Sequence, residues 1–346
     1  MKKILIGFLF IVGLQSINSQ HLTVDVKIID EGFVYQKAPF SQCHSSTLVE
    51  LDNGNIMAAW FGGTHERHPD VSIYSAVYNG EKWSELEEIA NGVVDDSIRY
   101  PTWNPVLFKN NNGALFLYYK VGPSPSEWWG MYKTSEDDGK TWSEAKKLPD
   151  SILGPIKNKP IQLNDGTIIS PSSTEDGNIW RVHMEISSDE GYTWKKVSVD
   201  PESEYKAIQP TLIKLADGTI KALIRSDQNV IMESESTDEG KTWTKLKKTD
   251  IANPNSGIDA ITLKDGNHLL VYNPMTSGKN WWEGRSRLHL AFSKDGRNWD
   301  DIYILENQEE GEYSYPAIIQ AENGMIYITY TYDRKKIKYY KLKIMK

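Results

Sequence analysis

The segment HERHPD (65–70) brings His65, Glu66, His68 and Asp70 together in one short stretch. Imidazoles and carboxyls of this kind carry protons or bind metals, and metal sites show characteristic ligand spacings. All four lie in one loop without such spacing, so no metal or other cofactor is expected, and a charged loop bordering a pocket accounts for them. Two tryptophan pairs, Trp128-Trp129 and Trp281-Trp282, lie outside every repeated motif. Exposed indole faces at such positions suit stacking on sugar rings, with rim packing as the plainer reading; Trp129 and Trp282 are the candidates. Asn104, Asn158, Lys159 and Asp259 fall near strand starts that face a common axis, where they can line a pocket.

That axis follows from a repeat. Six times an apolar strand leads into an Asp/Asn-Gly turn and a second apolar strand, the turn glycines being Gly54, Gly113, Gly166, Gly218, Gly266 and Gly324. A second mark runs out of phase with it: SEDDGKTW (135–142), SSDEGYTW (187–194), STDEGKTW (236–243) and the shortened SKDGRNW (293–299). A period of about fifty residues, with hairpin signals of this strength, predicts an all-β six-bladed propeller of four-stranded blades. In the boxes, Asp accepts turn N–H groups, Gly takes positive φ and Trp covers a neighbouring strand, so these are structural pegs. LTVDVKII (22–29) and IKYYKLKI (337–344) alternate as edge strands, and the first is expected to complete the last blade and close the ring.

The chain has 346 residues, with 12 Trp, 18 Tyr and a formal net charge of −8. Aromatic richness fits a half-buried β surface. An acidic chain without a basic run is a poor partner for nucleic acid or anionic membrane. Residues 1–19 read as a signal peptide, with Lys2 and Lys3 ahead of an apolar stretch (4–14) too short to span a bilayer, so no membrane insertion is expected. No cysteine stands at the cleavage point for lipidation, which points to a soluble periplasmic protein with residues 20–346 as the propeller. Cys43 is the only cysteine and reads as a small buried filler.

The boxes on this period resemble those of the sialidase (neuraminidase) superfamily. HSSTLVELDNGNIMAAWFGGTHE (44–66), NPVLF (104–108), GPIKNKPIQL (154–163), NPNSGIDA (253–260) and YSYPAIIQ (313–320) resemble its bacterial branch labelled predicted neuraminidase. The resemblance covers 40–346 and implies a sialidase-like propeller. It also implies an arginine clamp for a substrate carboxylate, a tyrosine nucleophile assisted by glutamate, and an acid/base in the 65–70 loop. By offset from the turn glycines, Arg225 takes a clamp position and Tyr315 the tyrosine position, with Tyr313 as its rival; Arg285, which precedes the last Asp box, takes a further clamp position, with Arg287 as its substitute. Glu66 and Asp70 are then the acid/base candidates. His44 stands where the first clamp arginine is expected, and Gln209 stands in place of the assisting glutamate.

Two guanidiniums still favour a carboxylated sugar. A phenol and an imidazole form a proton-transfer pair, and without an assisted nucleophile the residues suit β-elimination on a uronic acid. The expected protein is thus an exported enzyme acting on the non-reducing end of acidic oligosaccharides, as a dehydratase or lyase. The alternatives are an exo-glycosidase of the sialidase type and a non-catalytic carbohydrate-binding propeller.

Overall fold

The computed structural model describes residues 24–280 and 282–345; the segment 1–19 expected to be a signal peptide and Trp281 lie outside them. Six antiparallel four-stranded sheets are arranged as consecutive blades. Blades 1 to 5 occupy 42–90, 102–147, 161–198, 207–252 and 259–307. Blade 6 is built from Tyr313–Gln320, Ile326–Tyr332 and Lys336–Met345, with Asp25–Phe33 as its fourth strand. The early strand pairs with Lys336–Met345 from Asp25 opposite Met345 to Phe33 opposite Lys338, so the ring closes as expected.

Burial explains why the inner strands lack period-2 alternation. Leu115–Val121 and Ile220–Ser226 are buried along their whole length, because each blade is packed on both faces by its neighbours. The outermost strand Asp25–Phe33 keeps the alternation of a one-sided surface. Apolar clusters bridge the seams: one joins Leu48, Ile56 and Trp60 of blade 1 to Ala317, Tyr327 and Tyr339 of blade 6.

The Asp boxes join the third and fourth strands and seal the seam with the preceding blade. In blade 2, Ser135 Oγ donates to Asp137 at 2.9 Å, while Asp137 accepts Thr141 N at 2.8 Å and Thr141 Oγ1 at 2.7 Å. The same bonds recur around Asp189 and Asp238. Hydrogen bonds from Thr141 and Ser135 hold the Asp137 carboxyl down at about 2. Gly139 has φ 79°, and a Cβ there would lie 2.6 Å from Met57 Cε of blade 1. Trp142, Trp194, Trp243 and Trp299 pack onto the same apolar seams. The boxes are structural, as their sequence suggests.

Candidate functional site

The site is built from a defect repeated in the inner strands. Ser45, Asn104, Gln209 and Tyr315 each stand nine residues before their turn glycine, and all have positive φ (56°, 33°, 56° and 52°). The ladder register shifts at each of them. Asn104, Gln209 and Tyr315 are followed by proline, which has no N–H for the ladder. Non-glycine residues in this conformation cost about 1–3 kcal/mol and persist where surrounding structure holds them. Blade 5 has Gly257 at this position, and a Cβ there would sit 3.2 Å from the Tyr315 ring and from Lys157 Cε. Glycine therefore leaves the room that Tyr315 occupies.

Asn104, Gln209 and Tyr315 meet in a cavity of about 790 Å³ on the face formed by the inner-strand starts and the loops between second and third strands. Tyr315 is buried, and its hydroxyl oxygen lies 2.5 Å from Arg225 NH1 and 3.4 Å from Gln209 Nε2, both donors. Gln209 Oε1 in turn accepts from Arg225 NH1 at 3.0 Å. The Gln209 amide thereby bridges guanidinium and phenol. The His44 ring lies against the Tyr315 ring, 4.1 Å between centroids. Burial first, then the charges of Arg334, Arg285, Arg225 and Lys157, hold His44 well below its ordinary value, so the imidazole is neutral. Its Nδ1 is buried without a hydrogen-bond partner among the described residues.

Four guanidiniums line the cavity; besides Arg67 on its wall they are Arg225 and Arg285, which the sequence reading found, and Arg334, which it did not. Arg225, at the end of Ile220–Ser226, is braced by Asn255 Oδ1 at 2.8 Å. Arg285 donates to Asn255 O at 3.0 Å and to Glu312 Oε1 at 2.9 Å. Arg334 donates to Glu312 Oε2 at 2.7 Å and also pairs with Glu66. Burial alone would raise the Glu312 carboxyl, but Arg334 and Arg285 outweigh it and hold the group down, ionised. Arg334 lies in the loop between second and third strands of blade 6, the same kind of loop that carries Glu66 in blade 1. Comparing those loops across blades was the signal available for it.

Trp103, Trp128 and Trp282 line the walls together with His65, Arg67, Asn104 and Glu175. Trp128 stacks edge-on to Trp103 at 5.7 Å. The sequence reading missed Glu175, Glu312 and Trp103, and of the pair Trp128-Trp129 it took Trp129. Among the described residues no group of three or more His, Cys, Asp or Glu side chains is placed to hold a metal.

Seven sequence candidates do not line the cavity. Asp70 turns back to bond Thr64 N at 2.9 Å and Thr64 Oγ1 at 2.6 Å, so it closes its own loop. Arg287 is exposed at the start of Arg287–Ser293, while Arg285 is the buried one. Lys159 and Asp259 stand two residues nearer the turn than the bulged position, which keeps them on the axial face but one layer away from the cavity. There Lys159 pairs with Asp259 at 2.7 Å, and Asp259 also accepts Thr211 Oγ1 and Ile318 N, tying blades 3 to 6. Tyr313 is packed against Tyr332 at 4.8 Å, and burial pushes its phenol up. Trp129, the first residue of Trp129–Ser135, instead meets Tyr100 at 5.6 Å and lines an outer groove. Asn158 is buried, donating to Gln209 O and Pro210 O.

Comparison with known proteins agrees with this architecture. The family described as BNR repeat-like domain matches residues 54–328. A protein named Sialidase from Bacteroides fragilis is 23% identical over 77% of this chain and 54% of its own length. One named Anhydrosialidase from Macrobdella decora is 24% identical over 60% of this chain and 30% of its own. The chain thus spans about half or less of the length of these curated relatives. The intramolecular trans-sialidase from Ruminococcus gnavus, crystallised with oseltamivir carboxylate, superimposes with a TM-score of 0.69 at 15% identity, covering 91% of this chain and 96% of that one. The chain belongs to the BNR repeat-like family and is a six-bladed, sialidase-like Asp-box propeller.

Proposed function

We propose that this protein is an enzyme that removes water or an alcohol from the non-reducing end of uronic-acid-terminated oligosaccharides by β-elimination. The observation that carries the reading is the setting of Tyr315: two N–H donors converge on its oxygen, and a neutral histidine lies against its ring. Donors aimed at an oxygen stabilise negative charge there, which suits a proton acceptor. Arg225, Arg285 and Arg334 form a cationic wall for the sugar carboxylate, whose negative charge grows into the ring as the C5 proton leaves. His44 is the neutral imidazole beside that proton path. A cavity of about 790 Å³ suits one or two sugar units, with Trp128 and Trp282 as stacking walls. In this reading the leader at 1–19 carries the enzyme to the periplasm.

A sialidase-type reading is favoured by one observation, the three-arginine wall beside a tyrosine, with Tyr315 attacking an anomeric carbon. Gln209 argues against it. A neutral amide lies where an assisting carboxylate would be needed, and it donates to Tyr315 rather than accepting from it. Purified protein incubated with panels of uronyl and sialyl oligosaccharides separates the readings. Elimination yields an ultraviolet-absorbing unsaturated uronyl end and a mass lower by one water or alcohol. Release of a free acidic sugar with no new absorbance would establish glycoside cleavage instead.

A further inference from the structure

Elimination needs a second group besides the base: one that hands a proton to the oxygen departing from C4. Most candidates in the cavity are committed elsewhere. Glu312 is held ionised by Arg285 and Arg334, and Glu66 is paired with Arg334. The Tyr315 oxygen receives donors, and the four cations around His44 oppose its protonation. Asp70 is turned away into its own loop. His65 spends Nδ1 on the Glu66 carbonyl at 2.9 Å.

Glu175 differs from all of these. It stands near the end of Ile168–Asp176 in blade 3, on the cavity wall, and is only partly exposed. The charges that reach it belong to Arg225, Glu66 and Arg67, and none of these groups hydrogen-bonds it. Burial pushes its carboxyl up, partly opposed by Arg225. A carboxyl on the cavity wall that no cation hydrogen-bonds, with its proton affinity raised by burial, is placed to donate a proton as general acids do.

We infer that Glu175 is the catalytic acid of this site, donating its proton to the C4 oxygen of an acidic sugar; the inference rests on the elimination reading above. The C5–H bond breaks and its proton passes to the Tyr315 oxygen. The electron pair forms the C4=C5 double bond as the C4–O bond breaks. The Glu175 proton joins the departing oxygen, so water leaves a free 4-hydroxyl substrate. Glu175 is then a carboxylate and Tyr315 a phenol, and proton exchange with solvent restores both. No oxidant or co-reactant is needed.

The test uses leaving groups. Glu175→Gln and the wild type are compared on a uronyl oligosaccharide with a terminal 4-hydroxyl and on its 4-deoxy-4-fluoro analogue, whose fluoride departs without protonation. We expect kcat to fall about 100-fold or more on the hydroxyl substrate and to stay within about threefold on the fluoride. Exchange of the C5 proton in heavy water, read by NMR, should persist in the variant, because the Tyr315 half of the site is untouched. Equal losses on both substrates would overturn the role of Glu175, as would full activity on the hydroxyl substrate. An unchanged thermal midpoint excludes a folding defect, and Glu175→Asp supplies a second variant that keeps the carboxyl. If the wild type itself neither eliminates nor exchanges the C5 proton, it is the elimination reading that fails.

Discussion

At the scale of single residues, the site is organised around one phenol oxygen. Removing that oxygen by Tyr315→Phe leaves Arg225 and Gln209 without their shared acceptor. We expect kcat to drop about 100-fold or more with a small change in KM, measured by steady-state absorbance on the elimination substrate. Retained turnover would mean that the phenol only packs. His44 makes a second, independent prediction. Its native proton affinity is held well below the ordinary value of 6.5. Below about pH 6.5 the unfolded chain therefore binds a proton that the native site refuses, and stability falls as pH drops through that value. The slope from this group is at most about 1.4 kcal/mol per pH unit. Urea midpoints between about pH 7 and about pH 5 should fall less steeply in His44→Asn than in the wild type. Lys157, whose native value burial chiefly pushes down to about 7, adds its own slope at the upper end of this window in both proteins, so the difference between them reports His44.

At the scale of elements, the inner strands and the box hairpins do separate work. The bulged strand starts hold Tyr315, Gln209 and Asn104 in strained conformations facing the cavity, whereas the boxes lock blades together far from it. A substitution in a box should therefore cost stability without touching catalysis. Gly139→Ala places a Cβ against Met57 at a positive-φ position. We expect it to destabilise the fold by about 1 kcal/mol or more, with KM unchanged. Differential scanning calorimetry beside kinetics checks both halves. A KM shift would mean that the seam communicates with the pocket.

At the scale of the whole molecule, the ring depends on a strand from the opposite end of the chain. Asp25–Phe33 covers Lys336–Met345, and Asp30 accepts from Tyr78 at 2.6 Å and from Tyr339 at 2.8 Å, which links blade 6 to blade 1. Starting the chain at Val34 removes this strand and leaves a long unpaired edge. Such a truncation should aggregate or melt well below the full protein, as read by light scattering during a thermal ramp. A truncated chain as stable as the full one would show that the other blades suffice.

Local chemistry was legible in the sequence because it acts over a few residues. Asp/Asn-Gly turns, box hairpins and the edge alternation of 22–29 and 337–344 determined the number of blades, their strands and the closing partner. Arg285 was placed by the last Asp box and Asn104 by its strand start; the offsets implied by the sialidase resemblance, counted from the turn glycines, pointed to Tyr315, Gln209, His44 and Arg225, since a repeat maps offset onto height along the axis. What it could not supply was the direction of side chains between equivalent heights. A shift of two residues lowered Lys159 and Asp259 by one layer, and one residue separated Trp128 in the cavity from Trp129 outside it. Arg334, Glu312 and Glu175 came from loops and strand ends whose lengths differ between blades, so no offset predicts them. Only the closed ring decided that they converge on one cavity, because their contacts span most of the chain: Arg334 meets Glu66 across 268 residues.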